Sequence, residues 1–160
     1  YKRQIMNWLG LDKSNKKCRE YDGNWSREYV QINPKNEYWI FGDNAHEYRN
    51  RRRKNDYSKR SGQAEIRNLF DSDNKRISYG IPAKEAPRWD KNAFWYDEDF
   101  EARNKAIIDE AIAEIPRDKP WVISSGGIGT KRARTPPHFG TNKKTTEYIR
   151  QRLLSICTGD

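Results

Sequence analysis

The sequence predicts an α/β protein: a single three-layer domain with a mixed, partly parallel sheet. Apolar runs with the composition of buried strands alternate along the chain with segments whose apolar residues recur at helical spacing. The chain has 160 residues, which fits one domain of ordinary size. Its apolar fraction is only 34 %, but 12 % of the residues are aromatic, a content that disordered chains normally lack.

The first half of the chain is expected to supply two strands. Residues 13–19 predict a basic connector, and residues 27–32 alternate in polarity like a half-buried strand. Residues 37–41 form the first strongly apolar run and predict a buried strand. Residues 42–44, Gly-Asp-Asn, are expected to end that strand in a loop.

The second half predicts two further strands and the clearest helices. These elements are a helix start at 61–67, a short strand at 76–82 stopped by Pro82, a helix at 97–115, a buried strand at 120–124, a Gly/Pro loop at 125–140 and a helix at 141–157. Ligands of such sheets bind beyond the carboxyl ends of the strands. The loops at 42–44, 80–84 and 124–130 are therefore expected to meet at one edge of the sheet.

The glycine turn, residues 124–130, is the strongest candidate for binding an anion. Its ligand-binding residues are expected to be Ser124, Ser125, Gly126, Gly127, Ile128, Gly129 and Thr130. Glycines let backbone N–H groups approach a phosphate closely, and the hydroxyls add donors. The spacing to Lys131 is wrong for a Walker loop, and the spacing of a dinucleotide fingerprint is absent. The alternative interpretation is a flexible left-handed turn.

Two other loops add polar groups to the same predicted edge. Gly42 and Gly62 are expected to contact the ligand, since each lies in a turn beside a strand end or a helix start. Asp43, Asn44 and Gln63 are the candidate catalytic residues, because they could orient a water against a bond near a bound phosphate or ribose. Each also has a structural interpretation, because Asp and Asn cap their own turns.

The chain is strongly basic, with 32 Lys and Arg against 23 Asp and Glu and a net charge of +9. Such a field attracts nucleic acid, nucleotides or acidic partners. The charge is concentrated in a basic insertion, residues 46–60. The candidate nucleic-acid contacts of its arm (residues 49–60) are Arg49, Arg51, Arg52, Arg53, Lys54, Lys59 and Arg60. Neighbouring tyrosines would allow base stacking with phosphate contact, and a solvated loop is the alternative.

The cysteines and histidines argue against a metal centre. Cys18 and Cys157 lack the short spacing of a zinc site or a disulfide framework, which favours free thiols in a reducing cytosol and a cytoplasmic location. His46 and His138 are the only histidines, so a His-rich metal site is excluded. No cofactor is expected. The longest apolar runs span only a few residues, so no contact with a membrane is expected.

Four short motifs together resemble a known group of proteins. They are Ile-Phe-Gly-Asp-Asn at 40–44, Gly-Gln-Ala-Glu-Ile-Arg at 62–67, Gly-Ile-Pro-Ala-Lys at 80–84 and Gly-Gly-Ile-Gly-Thr at 126–130. They resemble small bacteriophage and bacterial proteins of uncharacterised function, and their order is similar to that of a macro domain, the ADP-ribose-binding module. If the chain is phage-encoded, the expected location is the host cytoplasm.

The resemblance covers roughly residues 37–156 and implies roles for particular positions. Asn44 would match the ribose-side asparagine, Gly62 the glycine-rich loop and the glycine turn the phosphate-binding turn. It also implies a macro-like domain at 37–160 that follows an N-terminal extension, residues 1–36. The chain departs from the macro pattern in having fewer glycines around Gly62 and in carrying the basic insertion.

The leading hypothesis is therefore a macro-like pocket for ADP-ribose or a related nucleotide, with or without hydrolysis. Whether the protein is an enzyme stays open, as does its oligomeric state. The alternative is a phage protein that binds DNA or RNA through the basic arm. Trp89 and Trp95 lie among charged residues and would either stack a base or cover the core.

Overall fold

The computed structural model describes residues 7–50 and 62–159, which form a parallel sheet covered by helices. Its strands are β1 (Cys18–Tyr21), β2 (Tyr38–Asn44), β3 (Ser78–Lys84) and β4 (Trp121–Ser124), in the order β1-β4-β2-β3. All pairings of these strands are parallel. The predicted α/β class is confirmed, whereas the expected mixed sheet is wrong for the described strands.

The helices are α1 (Arg27–Ile32), α2 (Ala45–Arg49), α3 (Lys105–Ala113) and α4 (Lys143–Thr158). Short 3₁₀ turns lie at Gly62–Ile66, Lys91–Ala93 and Asp97–Asp99, and a π-helical turn at Phe100–Asn104 leads into α3. The two long predicted helices are confirmed. The helix predicted at 97–115 corresponds to the helical region that ends in α3, and the helix predicted at 141–157 corresponds to α4.

The sheet separates two hydrophobic cores, because alternate side chains of a strand point to opposite faces. On β2, Tyr38 and Ile40 pack with α3 and α4, while Trp39 and Phe41 pack with α1 and the Gly62–Ile66 turn. On β4, Trp121 joins the first core and Val122 the second. This arrangement gives the three layers that the alternating pattern predicts.

The predicted strand at residues 27–32 is wrong, because this segment is helix α1. Ser26 caps the helix by accepting a hydrogen bond from the Tyr29 N–H, and Asn33 ends it in a left-handed conformation. Val30 is fully buried, whereas Ile32 is 72 % exposed. The alternating polarity of residues 27–32 therefore does not correspond to one buried face of a strand. The helix caps outweighed the strand propensity of the segment.

The extra strand is β1, which lies partly in the predicted basic connector. It is short and lies at the edge of the sheet, and Cys18 is its only buried residue. An edge strand buries little, so it produces no apolar run in the sequence.

Two predicted strand ends also need correction. β2 continues through the predicted loop at 42–44, and β3 continues past Pro82 to Lys84. Proline is tolerated there because β3 is the other edge strand.

Cys18 and Cys157 form a disulfide, so the expectation of free thiols is wrong. The bond joins β1 to α4 across a sequence separation of 139 residues. The spacing of the two cysteines in the sequence does not predict this pairing, because only the fold brings the two segments together. The cytoplasmic location that rested on free thiols stays a prediction. No helix in the described part of the chain is long and apolar enough to cross a membrane.

Candidate anion-binding site at the carboxyl edge of the sheet

The loops that follow β2, β3 and β4 lie together at the carboxyl edge of the sheet. The Gly42 N–H donates to Gln63 Oε1 at 2.8 Å, and Gln63 Nε2 donates to the Gly127 carbonyl at 2.7 Å. Gln63 thus bridges β2 and the glycine turn. A Cβ added at Gly129 would lie 3.2 Å from the Ala83 Cβ, which places the same turn against β3.

The glycine turn is held by its own polar groups. Gly127 and Gly129 have φ angles of +91° and +82°, a conformation that favours glycine. Ser124 accepts the Gly126 N–H through its hydroxyl and the Gly127 N–H through its carbonyl. The Thr130 hydroxyl donates to the Gly126 carbonyl at 2.5 Å. The predicted hydroxyl donors therefore shape the turn.

The backbone N–H groups that follow these hydrogen bonds in the turn have no acceptor in the described part of the chain. The N–H groups of residues 128–131 donate no hydrogen bond to any atom of the described chain. They follow one another through a backbone in which left-handed glycines alternate with Ile128, itself fully buried. Successive N–H groups in such an alternation form a concavity that binds anions.

Two cations that are not among the predicted site residues flank the turn. A Cβ added at Gly126 would lie 3.0 Å from Lys131 Nζ, and one at Gly62 would lie 3.4 Å from Arg132 Cδ. Gly62 thus lies against the Arg132 side chain, and its contact with a ligand stays a prediction. Neither cation forms an ion pair within residues 7–50 and 62–159. The signal that could have found them is the basic run directly after the last glycine.

The N-terminal segment covers one side of the glycine turn. The Trp8 N–H donates to the Ser125 carbonyl at 2.9 Å, and the Ser125 hydroxyl donates to Asp22. A Cβ added at Gly127 would lie 2.8 Å from the Trp8 ring. Gly127 is therefore required both by its φ angle and by the packing of Trp8.

Asp43, a predicted catalytic residue, forms a buried ion pair. Arg67 Nε lies 3.2 Å from Asp43 Oδ1, and the two side chains are only 3 % and 2 % exposed. The same carboxylate accepts the Asn44 N–H at 2.8 Å. Both residues border a cavity of about 240 Å³, which Arg76 and Glu114 also line. Asp43 thus neutralises a buried arginine beside the site.

The other two catalytic candidates differ in how far their amides are used. Gln63 has both ends of its amide engaged, one by Gly42 and one by Gly127. Asn44 caps α2, because its Oδ1 accepts the Glu47 N–H at 2.9 Å. Its Nδ2 has no partner among the described residues. Of the three candidates, Asn44 alone keeps an unused side-chain donor there.

An aromatic group adjoins the same edge. Lys84 is the register partner of Asn44, and its Nζ lies 4.1 Å from the centre of the Phe94 ring and 5.1 Å from that of Trp89. Burial lowers the pKa of Lys84 below its usual value. Trp89 is 64 % exposed, whereas Trp95 is fully buried in the core. The two tryptophans therefore differ in role: Trp95 is part of the core, whereas the Trp89 ring is largely exposed to solvent.

The basic arm falls largely outside the described residues. Arg51, Arg52, Arg53, Lys54, Lys59 and Arg60 all lie in that undescribed range. Arg49 ends α2 and pairs with Glu85 at 3.0 Å. Nucleic-acid binding through the arm stays a prediction. Across residues 7–50 and 62–159, no group of three or more His, Cys, Asp or Glu side chains is placed to hold a metal ion.

The fold and this edge define a parallel α/β domain with a glycine-rich, cation-flanked turn. A family model matches residues 20–151, and the chain belongs to that family, a family of unknown function (DUF7831). No curated protein and no solved structure matches the chain. The resemblance to macro domains therefore stays an expectation drawn from the motifs.

Proposed function

We propose that the protein binds ADP-ribose or a related nucleotide at the carboxyl edge of its sheet, with the phosphates on the glycine turn. The observation that carries this proposal is the run of backbone N–H groups at residues 128–131, which donate to no atom of residues 7–50 and 62–159. Lys131 and Arg132, which flank the turn without ion pairs in the described chain, add charge-assisted donors to this group.

A nucleotide fits the edge better than a lone phosphate does. At the end of β2, Asn44 has a side-chain amide donor without a partner among the described residues, which suits a ribose hydroxyl, the role that the macro-domain resemblance implies. Trp89 presents an exposed ring near the end of β3, and aromatic faces suit nucleobases. Specific small-molecule sites combine apolar walls with a few placed polar groups in this way.

Binding is better supported than hydrolysis. Both ends of the Gln63 amide are hydrogen-bonded, and the Asp43 carboxylate is held by Arg67. Neither group is placed to take a proton from an attacking water. Asn44, the remaining candidate, carries an amide that neither accepts nor releases protons at neutral pH.

Isothermal titration calorimetry with ADP-ribose, NAD, cyclic nucleotides and inorganic phosphate tests the proposal. We expect heat with ADP-ribose and a loss of affinity of about tenfold or more in the Lys131→Ala/Arg132→Ala variant. The matched control is Lys35→Ala/Lys75→Ala, which removes the same charge from exposed turns before β2 and β3. Absence of heat from every nucleotide at high micromolar concentration, or an equal loss in the control, contradicts the proposal.

A further inference from the structure

A second cationic feature lies at the opposite, amino edge of the sheet. A cavity of about 670 Å³ opens between the segments that precede β1 and β4 and the C-terminal end of α4. We name it the basic cavity, because its charged lining residues are Lys16, Lys17, Arg117, Lys119, Arg152 and a single acid, Asp118.

The positive charge of the basic cavity is largely uncompensated. Among the described residues, none of the four cations that precede β1 and β4 forms an ion pair. The acid that lines the cavity, Asp118, accepts a hydrogen bond from the Tyr38 hydroxyl at 2.8 Å. Arg152 alone is paired, with Asp109. The lining therefore presents more positive than negative charge to whatever enters.

Two of these cations rest on rigid aromatic supports. The Arg117 guanidinium lies 5.5 Å from the centre of the Trp121 ring, and Lys119 Nζ lies 5.2 Å from that of Tyr38. Both rings are buried, with exposures of 2 % and 7 %. Cation–π contacts of this kind fix a long side chain, so less entropy is lost when it meets an anion.

The walls of the cavity are fastened to one another. The Cys18–Cys157 disulfide joins the wall beside β1 to the wall formed by α4. Asn15 Nδ2 donates to the Cys157 carbonyl at 2.9 Å, and Lys17 Nζ donates to the Gly159 carbonyl. The cavity is thus a built feature of the fold.

The distribution of charge identifies the kind of anion. The four cations lie before the adjacent strands β1 and β4, and Lys119 also reaches the Tyr38 ring at the start of β2. The usual strand spacing separates these three strands by about 10 Å in total. Along one strand of a double helix the phosphates follow one another about every 3.4 Å of helix axis, so on the order of three phosphates fall within that span. A single phosphate would meet only part of the set.

We infer that the basic cavity binds the sugar–phosphate backbone of a nucleic acid. This site is separate from the nucleotide site proposed above and from the basic arm. Its contacts are charges without base-reading partners, so binding is expected to be independent of sequence and strongly dependent on salt.

Fluorescence anisotropy with a labelled 20-base-pair DNA of arbitrary sequence, over a series of salt concentrations, tests the inference. The variant is Lys16→Ala/Arg117→Ala/Lys119→Ala, which leaves out Lys17 because that side chain holds Gly159. The matched control is Lys91→Ala/Lys143→Ala/Lys144→Ala, which removes the same charge from exposed positions near the carboxyl edge. Thermal melting of both variants checks that they fold. If the cavity variant does not fold, Lys16→Glu/Arg117→Glu is used in its place.

We expect the cavity variant to bind DNA at least about tenfold more weakly at low salt. The slope of log K against log salt, which is negative, should become shallower by about 0.9 for each lost phosphate contact. The control is expected to change binding by less than about threefold through net charge alone. Equal losses in the two variants would overturn the inference. So would a loss confined to an Arg51→Ala/Arg52→Ala/Arg53→Ala variant, which would assign DNA binding to the arm. ADP-ribose calorimetry on the cavity variant tests whether the two sites are separate: we expect an unchanged affinity for ADP-ribose, and a loss of that affinity would overturn the separation.

Discussion

The two edges of the sheet present positive potential by different means. At the carboxyl edge, four successive backbone N–H groups of one short turn donate to no atom of the described chain, and two glycines with positive φ angles set the conformation of that turn. At the amino edge, long side chains from several strand starts spread charge over an open cavity. Backbone donors grouped in one turn suit a small ligand of defined shape, whereas spread charges suit a polyanion. The same net charge can therefore serve two ligands.

The largest effect is expected from the buried ion pair that supports the carboxyl edge. Replacing Asp43 by Ala removes the carboxylate that pairs with the buried Arg67, which should cost about 3–5 kcal/mol of unfolding free energy. Urea denaturation measures this cost. Asp73→Ala removes an equal charge from an exposed turn and should change stability by less than about 0.5 kcal/mol. A stable Asp43→Ala protein would show that the carboxylate is not needed structurally, and would return it to the catalytic candidates.

The next effect concerns the fastening of the amino edge. Cys18→Ser opens a loop of 139 residues and should lower the unfolding free energy by about 2–5 kcal/mol. Cys157→Ser and the reduced parent protein should show the same loss, and the double variant should show no further loss. Urea denaturation with and without a reductant makes the comparison. If the reductant changes nothing, the bond does not contribute to stability.

The same variant sharpens the contrast between the edges. Because the disulfide joins the two walls of the basic cavity, Cys18→Ser should weaken DNA binding more than it weakens ADP-ribose binding. Equal weakening of both would indicate a general loss of structure.

The smallest expected effect is that of a single contact, between residue 127 and Trp8, measured as the difference between two glycine substitutions. Gly10→Ala meets only the strain of a positive φ angle, +64°, with nothing within 4 Å of the added Cβ, and should cost about 1–2 kcal/mol. Gly127→Ala carries the same kind of strain and also brings a Cβ to 2.8 Å from the Trp8 ring, which should add about 1–3 kcal/mol. Thermal or urea unfolding of the pair isolates the Trp8 contact. Equal losses would mean that Trp8 moves aside freely.

The elements that could be predicted are those with strong local signals. The apolar runs at 37–41 and 120–124 became β2 and β4, and helical periodicity located α3 and α4. The misplaced elements lack such signals. β1 buries one residue, and α1 depends on the Ser26 cap instead of an apolar face.

The candidate site was predictable in position but not in the use of its groups. The glycine turn lies beside the carboxyl ends of β2 and β3, the edge of the sheet at which the three segments were expected to meet. The partners of Asp43 and Gln63 were not predictable, since Arg67 and Gly127 become neighbours only through packing. Lys131 and Arg132 were overlooked because their value depends on lying against Gly126 and Gly62.

The sequence by itself determined the α/β class, the place of the glycine turn and the excess of positive charge. These properties follow from composition and from patterns that neighbouring residues impose on one another. Tertiary structure alone decided which polar groups are satisfied, which donors remain free and which cysteines join. Hydrogen bonds, ion pairs and disulfides need atoms within a few ångströms, and only the folded chain brings distant segments that close.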